Sequence, residues 1–234
     1  MNNPEPKPSK SDTLSRLHRN VPITSVVDVG VHEQTFELIS TFPAKKHYLF
    51  EPATTFFDSI RTNYRNIDHV LFPIALSDKA AEIFLIVSSI EKNGVATHSC
   101  IADNPSAVDG QHILSCEPIT VKRFDELDLA HHIEKDFLLK VDVDGQDLNV
   151  MKGFGENLQG ASVVIVECTA YNMIERIGFV QSAGFLITDM VDLVYYGDAL
   201  YQFDAVLVRN DLLTQQLKPT FTPFKEELWK SLKL

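Results

Sequence analysis

Short β-rich runs alternate with helix-spaced stretches along most of this chain, and that alternation limits the folds open to it more than any other feature. Ser25–Val29 is a β-rich run that ends at Gly30. Glu33–Thr41 has helical spacing, and Phe42-Pro43 closes it. Lys46–Phe50 reads as the second strand, followed by a helix over Thr54–Tyr64 and strands over His69–Phe72 and Glu82–Val87. Phe137–Val143 and Ser162–Glu167 are nearly continuous apolar runs separated by a helix, Gln146–Phe154, as expected of parallel strands covered on both faces. A helix over Ile174–Ala183 and strands over Phe185–Asp189 and Phe203–Val208 follow. The pattern predicts an α/β fold with a mostly parallel, doubly wound sheet. Such sheets bind ligands beyond the carboxyl ends of their strands, near the point where strand order reverses.

The rest of the chain carries less pattern. Residues 1–20 read as a flexible tail with a short helical turn around Leu14–His18, residues 21–210 as the folded domain, and residues 211–234 as an extension. That extension is amphipathic near Phe224–Leu232, which suits docking on the body or on a second copy in a homodimer. The stretch 88–116 mixes Ser, Asn, Gly, Asp and His without a period, and its length points to a functional lid or to disorder. Ile119–Lys122 reads as a short strand. With 234 residues, 44% of them hydrophobic and 15 of them Phe, the chain can fill one sizeable core. A net charge of −11 argues against nucleic-acid and anionic-membrane partners, which need clustered cations. Cys100, Cys116 and Cys168 form no metal-spaced pair and read as reduced thiols. With no apolar leader and no stretch of membrane-spanning length, a soluble cytoplasmic protein is expected.

Chemistry collects at the strand ends. A glycine after the first strand lets a ligand approach the backbone, and the helix that follows offers free N–H groups. Glu51, after the second strand, is placed to accept hydrogen bonds from a ribose diol. In the strand from Lys140, alternation puts Lys140, Asp142 and Asp144 on one face. A buried lysine there needs a carboxylate partner, Asp28 or Glu167 by position, and a structural ion pair explains it better than catalysis. Asp142 and Asp144 can position an acceptor hydroxyl, take its proton or hold a hard cation. Histidines in loops read as solvated side chains. His98 alone stays a catalytic candidate, because it falls in the expected lid.

Four motifs then come in one order: Asp28-Val29-Gly30, Phe50-Glu51-Pro52, Ala75-Leu76-Ser77-Asp78 and Lys140-Val141-Asp142-Val143-Asp144-Gly145. With Val164-Ile165-Val166-Glu167 and Gln202-Phe203-Asp204 behind them, this order resembles the FkbM family of S-adenosylmethionine-dependent methyltransferases over roughly residues 24–210. The resemblance implies a Rossmann-like class I methyltransferase fold whose last strand is antiparallel. It implies that Asp28 and Gly30 frame the methionine end of S-adenosylmethionine, with His32 and Gln34 in the same turn. Glu51 would take the ribose hydroxyls, and Leu76 and Ser77 would lie near the adenine. Asp142 would face cofactor and acceptor. The chain departs from the family at Gln34, where a glycine is usual, and at Asp144, where glutamate is common. A side chain at Gln34 would crowd the cofactor or donate a hydrogen bond to its carboxylate.

The activity so implied is methylation of a hydroxyl on a sugar, glycan or secondary metabolite, with Asp142 as the base. A divalent cation on Asp142 and Asp144 is not needed for it. Two other readings stand beside it. One is a binding protein that keeps the fold but has lost catalysis, motivated by Gln34. The other is a nicotinamide-dependent oxidoreductase, weakened because G-x-G-x-x-G does not follow the first strand.

Overall fold

A computed structural model describes residues 9–89, 91, 92, 94, 98–102, 112–214 and 217, with 98–102 known by their strand course. In chain order they form α1 (Lys10–Asn20), β1 (Ser25–Val29), α2 (Phe36–Thr41), β2 (Lys46–Phe50), α3 (Phe57–Asn63), β3 (His69–Phe72) and β4 (Ala75–Leu76). Then come β5 (Ala81–Ser89), β6 (His98–Ala102), β7 (His112–Lys122), α4 (Asp128–His132), β8 (Phe137–Val141) and α5 (Asp147–Gly153). The described course closes with β9 (Ala161–Thr169), α6 (Met173–Ser182), β10 (Phe185–Tyr196) and β11 (Ala199–Arg209).

Seven strands make one sheet in the order β10-β11-β9-β8-β1-β2-β3. β3, β2, β1, β8 and β9 run parallel, while β11 runs antiparallel to both β9 and β10. The expected doubly wound sheet with an antiparallel final strand is therefore present. Chain order reverses between β1 and β8, so the carboxyl ends of those two strands flank the crevice where such sheets take ligands.

Both faces of the central strands are covered. Val27, Val29, Leu139, Val141, Val164 and Val166 pack with Met151 and Phe154 near α5 and with Val180 of α6. The alternate residues Val26, Leu138, Val163 and Ile165 pack with Leu14 and Leu17 of α1 and Leu38 of α2. Part of the expected flexible tail is therefore a built element. Ser9 caps α1 by accepting the Asp12 N–H at 3.2 Å. Leu14 and Leu17, one turn apart, are wholly buried, each contributing about 1.5–3 kcal/mol. Among the described residues no helix is long and apolar enough to cross a membrane.

A second sheet, ordered β4-β7-β5-β6, is inserted between β3 and β8. It corrects the expectation of a lid over 88–116. β6 pairs with β5, and β7 pairs with β5 from Ser89↔His112 to Ala81↔Val121. Residues 103–111 lie outside the described residues. Propensity marked only the end of β7, Ile119–Lys122, because its start buries nothing: Ile113 and Leu114 are about half exposed, and pairing with β5 supplies the order. Of the expected C-terminal extension, Leu212, Leu213 and Leu217 pack on the α1 face of the sheet. Its amphipathic run, Phe224–Leu232, lies outside the described residues. The last two strands also run well past their expected bounds. They pair as far as Tyr196↔Ala199, beyond Thr169, where β9 ends.

Candidate functional site

The ends of β1, β2 and β8 are laced together by backbone. Gly30 N–H donates to Phe50 O at 3.0 Å, and Asp142 N–H donates to Val29 O at 3.0 Å. Gly30 has φ +82°, and a Cβ placed on it would stand 1.9 Å from the Asp142 carbonyl oxygen. The glycine is thus required twice over, by its left-handed backbone and by the β8 end pressed against its α-carbon. The open α-carbon anticipated for a ligand is filled by the neighbouring strand.

Glu51 closes the β2 end. Its Oε2 accepts the His32 N–H at 2.8 Å and its Oε1 accepts the Ala53 N–H at 2.9 Å. The side chain is 3% exposed, and burial pushes its pKa to about 7 against the pull of those two backbone bonds. The bond to His32 also pins a strained residue, since His32 sits at φ 55°. The His32 ring lies 3.8 Å, centroid to centroid, from that of Phe56. Gln34, in the same turn, is exposed.

Leu76 and Ser77 are buried at the end of β4. Leu76 belongs to the core cluster that also holds Phe50 and Phe124. Ser77 N–H donates to Lys122 O at 3.0 Å. Its carbonyl packs against Gly153, where a Cβ would come within 2.1 Å.

Asp28 and Lys140 face each other across β1 and β8. Lys140 Nζ lies 3.5 Å from Asp28 Oδ1 and 3.2 Å from Asp142 Oδ2. The expected partner Asp28 is there, and Asp142 takes the place expected of Glu167. β8 pairs Lys140 with Ile165, so Glu167 stands two residues further along β9. Burial opposes the charge on Lys140, but Asp142, Asp28 and Asp204 outweigh it and raise its pKa. The same pairing holds the Asp142 carboxyl below its usual range.

The expected common face of residues 140, 142 and 144 holds for the first two only. β8 ends at Val141, the chain turns through Gly145 at φ +83°, and Asp144 is exposed. That turn is held by a pair the sequence reading did not anticipate. Asp147, fully buried, accepts the Val143 N–H at 3.2 Å and lies 2.7 Å from Arg176 Nη2. Arg176 also donates from Nη1 to the Glu167 carbonyl, tying α6 to the end of β9. The available signal was Arg176 sharing a helical stripe with Met173 and Val180, a place that a charged residue occupies only when paired. Burial lifts the Asp147 pKa to about 7 despite Arg176.

Glu167 is the other residue given too small a part. It pairs with Asp204 across β11, and Asp204 is in turn 2.6 Å from Lys10 Nζ. Burial, followed by Asp142, Asp147, Asp144 and Asp204, pushes the Glu167 pKa to about 8. His98 starts β6 opposite Ser88 in the inserted sheet, so it belongs to a strand and not to a lid loop, and its side chain lies outside the described residues. Among the described residues no cluster of three or more His, Cys, Asp or Glu side chains is arranged to hold a metal ion.

The family model of the FkbM methyltransferase domain matches residues 28–197. A hexuronic acid methyltransferase, AglP, from Haloferax volcanii is 31% identical over 148 residues, covering 61% of this chain and 55% of that protein. The chain thus spans about half the length of this curated relative. Among solved structures, an rRNA methylase from Streptococcus thermophilus superposes with TM-score 0.48 at 8% identity, covering 85% of this chain and 93% of that one. A precorrin-6y C5,15-methyltransferase from Geobacter metallireducens gives TM-score 0.44 at 10% identity, covering 85% and 88%.

Proposed function

Because the chain belongs to the FkbM methyltransferase domain family, we propose that it moves the methyl group of S-adenosylmethionine onto a hydroxyl oxygen of a sugar or related glycan. The observation that carries this reading is Glu51. It is a buried carboxylate at the end of β2, fixed by two backbone N–H groups beside the β1 turn. Burial rather than lack of backbone donors raises its pKa, and each of its oxygens keeps a lone pair for a further donor. A ribose diol supplies two.

The remaining donor set suits the cofactor as well. Asp28 Oδ1 is buried without a hydrogen-bond partner, and Asp142 is kept ionised by Lys140. Carboxylates at that edge attract the ammonium group of the amino acid end. When bound, S-adenosylmethionine supplies a methyl group already activated on a sulfonium sulfur. What falls to the protein is to align the acceptor oxygen with that methyl and to exclude water. Asp28 and Asp142 would hold the amino acid end, with Gly30 fixing the turn beside it, Glu51 the ribose, and Leu76 and Ser77 the base. Asp142 is the weaker choice for proton removal, since the lysine that keeps it ionised also lowers its basicity.

The sugar acceptor is supported by the likeness to AglP, whose name gives a hexuronic acid as its substrate. The alternative reading of a decayed binding protein rests on Gln34, which is exposed in the turn after β1, and binding without turnover would favour it.

Two measurements test this. Calorimetry with S-adenosylmethionine and S-adenosylhomocysteine should show saturable binding of both, and no heat at millimolar ligand would sink the proposal. Incubation with S-adenosylmethionine and p-nitrophenyl glycosides of hexoses and hexuronic acids should give a product heavier by one methyl. Carbon NMR should place that methyl on oxygen, and placement on nitrogen or carbon would overturn the acceptor assignment.

A further inference from the structure

We infer that Glu167 is the group that takes the proton from the acceptor hydroxyl. The inference rests on the methyl-transfer reading above and adds a catalytic residue to it.

Strand geometry supplies the position. Val141 and Val166 form the last parallel pair, so Asp142 and Glu167 follow side by side where β8 ends and β9 runs on to Thr169. Asp204 lies across from Glu167 on the other flank. Strands are spaced about 4.8 Å apart, so Glu167 stands roughly two strand widths from the β1 end that carries Gly30. Cofactor contacts collect at β1 and β2, and an acceptor approaching from the far side meets the β9 end. The Arg176 bond to the Glu167 carbonyl, together with pairing to β11, fixes the backbone that presents the carboxyl.

Charge separates Glu167 from its neighbours. Asp142 has Lys140 at 3.2 Å, Asp147 has Arg176 at 2.7 Å, and Asp204 has Lys10 at 2.6 Å. Each of these three carboxylates is committed to a cation. For Glu167 the charged groups that act most strongly are the carboxylates of Asp142, Asp147, Asp144 and Asp204. A carboxyl so placed holds a proton tightly when no ligand is bound, gives it up to become an available base once a positive charge arrives nearby, and regains its proton affinity as the transfer consumes that charge.

The proton balance of the step is simple. As the acceptor oxygen forms its bond to the methyl carbon, the carbon–sulfur bond breaks and its electron pair stays on sulfur. The hydroxyl proton passes to the Glu167 carboxylate. One sulfonium and one carboxylate become a neutral thioether and a neutral carboxylic acid, so the edge ends with no net change of charge.

This makes a test that needs no acceptor. A proton must leave Glu167 when the sulfonium binds, and S-adenosylhomocysteine lacks that charge. Calorimetry at pH 7 in buffers of different ionisation enthalpy counts protons released on binding. Burial also raises Glu51 and Asp147 to about 7, but the ribose that Glu51 would hold is common to both ligands, and Asp147 is fully buried against Arg176. The difference between the ligands therefore isolates the sulfonium. In the unmodified protein S-adenosylmethionine should release more protons than S-adenosylhomocysteine, by on the order of half a proton. Glu167→Gln should abolish that difference while binding both ligands. With any glycoside the protein methylates, Glu167→Gln should lose about 100-fold or more in kcat, and Glu167→Asp should recover part of it. Equal proton release for the two ligands overturns the inference even if the glutamine variant does not fold. So does a glutamine variant that keeps the difference or turns over normally. Failure of both ligands to bind would instead fell the parent reading and this one with it.

Discussion

Glu51 follows the end of β2 and Glu167 stands near the end of β9, burial raises both well above the ordinary glutamate pKa, and they differ in what acts beside that burial. Glu51 is nearly sealed from water, and its two backbone N–H bonds work against the rise. Glu167 is less buried, and every strong neighbour in its field is another carboxylate. A carboxyl satisfied by backbone donors is held in place, whereas one crowded by anions is poised to trade its proton. The β1–β2 half of the edge is therefore built for grip, and the β9–β11 half for proton exchange.

The largest predicted effect breaks the seam between the halves. Gly30→Ala sets a methyl 1.9 Å from the Asp142 carbonyl oxygen at a left-handed backbone position. It should cost about 5 kcal/mol or more of stability and abolish cofactor binding, read by thermal unfolding and calorimetry. Next comes the clasp beneath the exchange half. Arg176→Met leaves Asp147 buried without its cation and should cost about 3–5 kcal/mol in denaturant titration. Adding Asp147→Asn should recover much of that loss, and no recovery would mean that Arg176 acts through its bond to Glu167 alone.

On the grip side, Glu51→Ala should weaken binding of both S-adenosylmethionine and S-adenosylhomocysteine by roughly 1.5–3 kcal/mol, since two hydroxyl donors lose one charged acceptor. Equal affinity in the variant would remove Glu51 from the cofactor site.

The smallest effect is a slope with pH. Both glutamates have folded-state values above the ordinary 4.5, about 7 for Glu51 and about 8 for Glu167. Between those limits the unfolded chain has lost its protons while the folded protein keeps them. Stability of the ligand-free protein should therefore fall as pH rises from about 4.5 and level off above 8. Glu51→Gln should flatten the part of the slope below 7, and Glu167→Gln should flatten the slope up to 8, seen in melting temperatures from pH 5 to 9. A wild-type profile that is flat or rises across this window would contradict both assignments of proton affinity.

Most of the central sheet could be read from the chain because each strand carries its own signal. β1, β2 and β3 occupy the spans their apolar runs mark out, and β8 departs only where its run continues into the turn at Asp142. β6 and the first part of β7, before Ile119, carried no such signal. Their order comes from pairing with β5, and half of β7 faces water. The same divide runs through the site. Asp28, Gly30, Glu51 and Asp142 stand at strand ends and are visible in any count of alternating elements. Asp147 and Arg176 lie 29 positions apart on different helices and meet only because β9 brings α6 back beside α5. Lys140 was given Glu167 as a partner because strand register, which decides between Ile165 and Glu167 as its neighbour, is a property of two segments and cannot be read from one.

The helix α1 has a practical consequence for anyone who handles the protein. Its first residue, Lys10, holds Asp204 on the sheet, and Asp204 lies across β11 from Glu167. A shortened expression clone that begins at Asp12 or later would keep every residue at the strand ends and still remove that cation. With only the more distant Lys140 to offset it, the Asp204 charge would press harder on Glu167, whose proton would be held more tightly and released less readily when ligand arrives. A cloning boundary chosen to trim an apparently dispensable leader would thus retune the chemistry of a site whose residues it never touches.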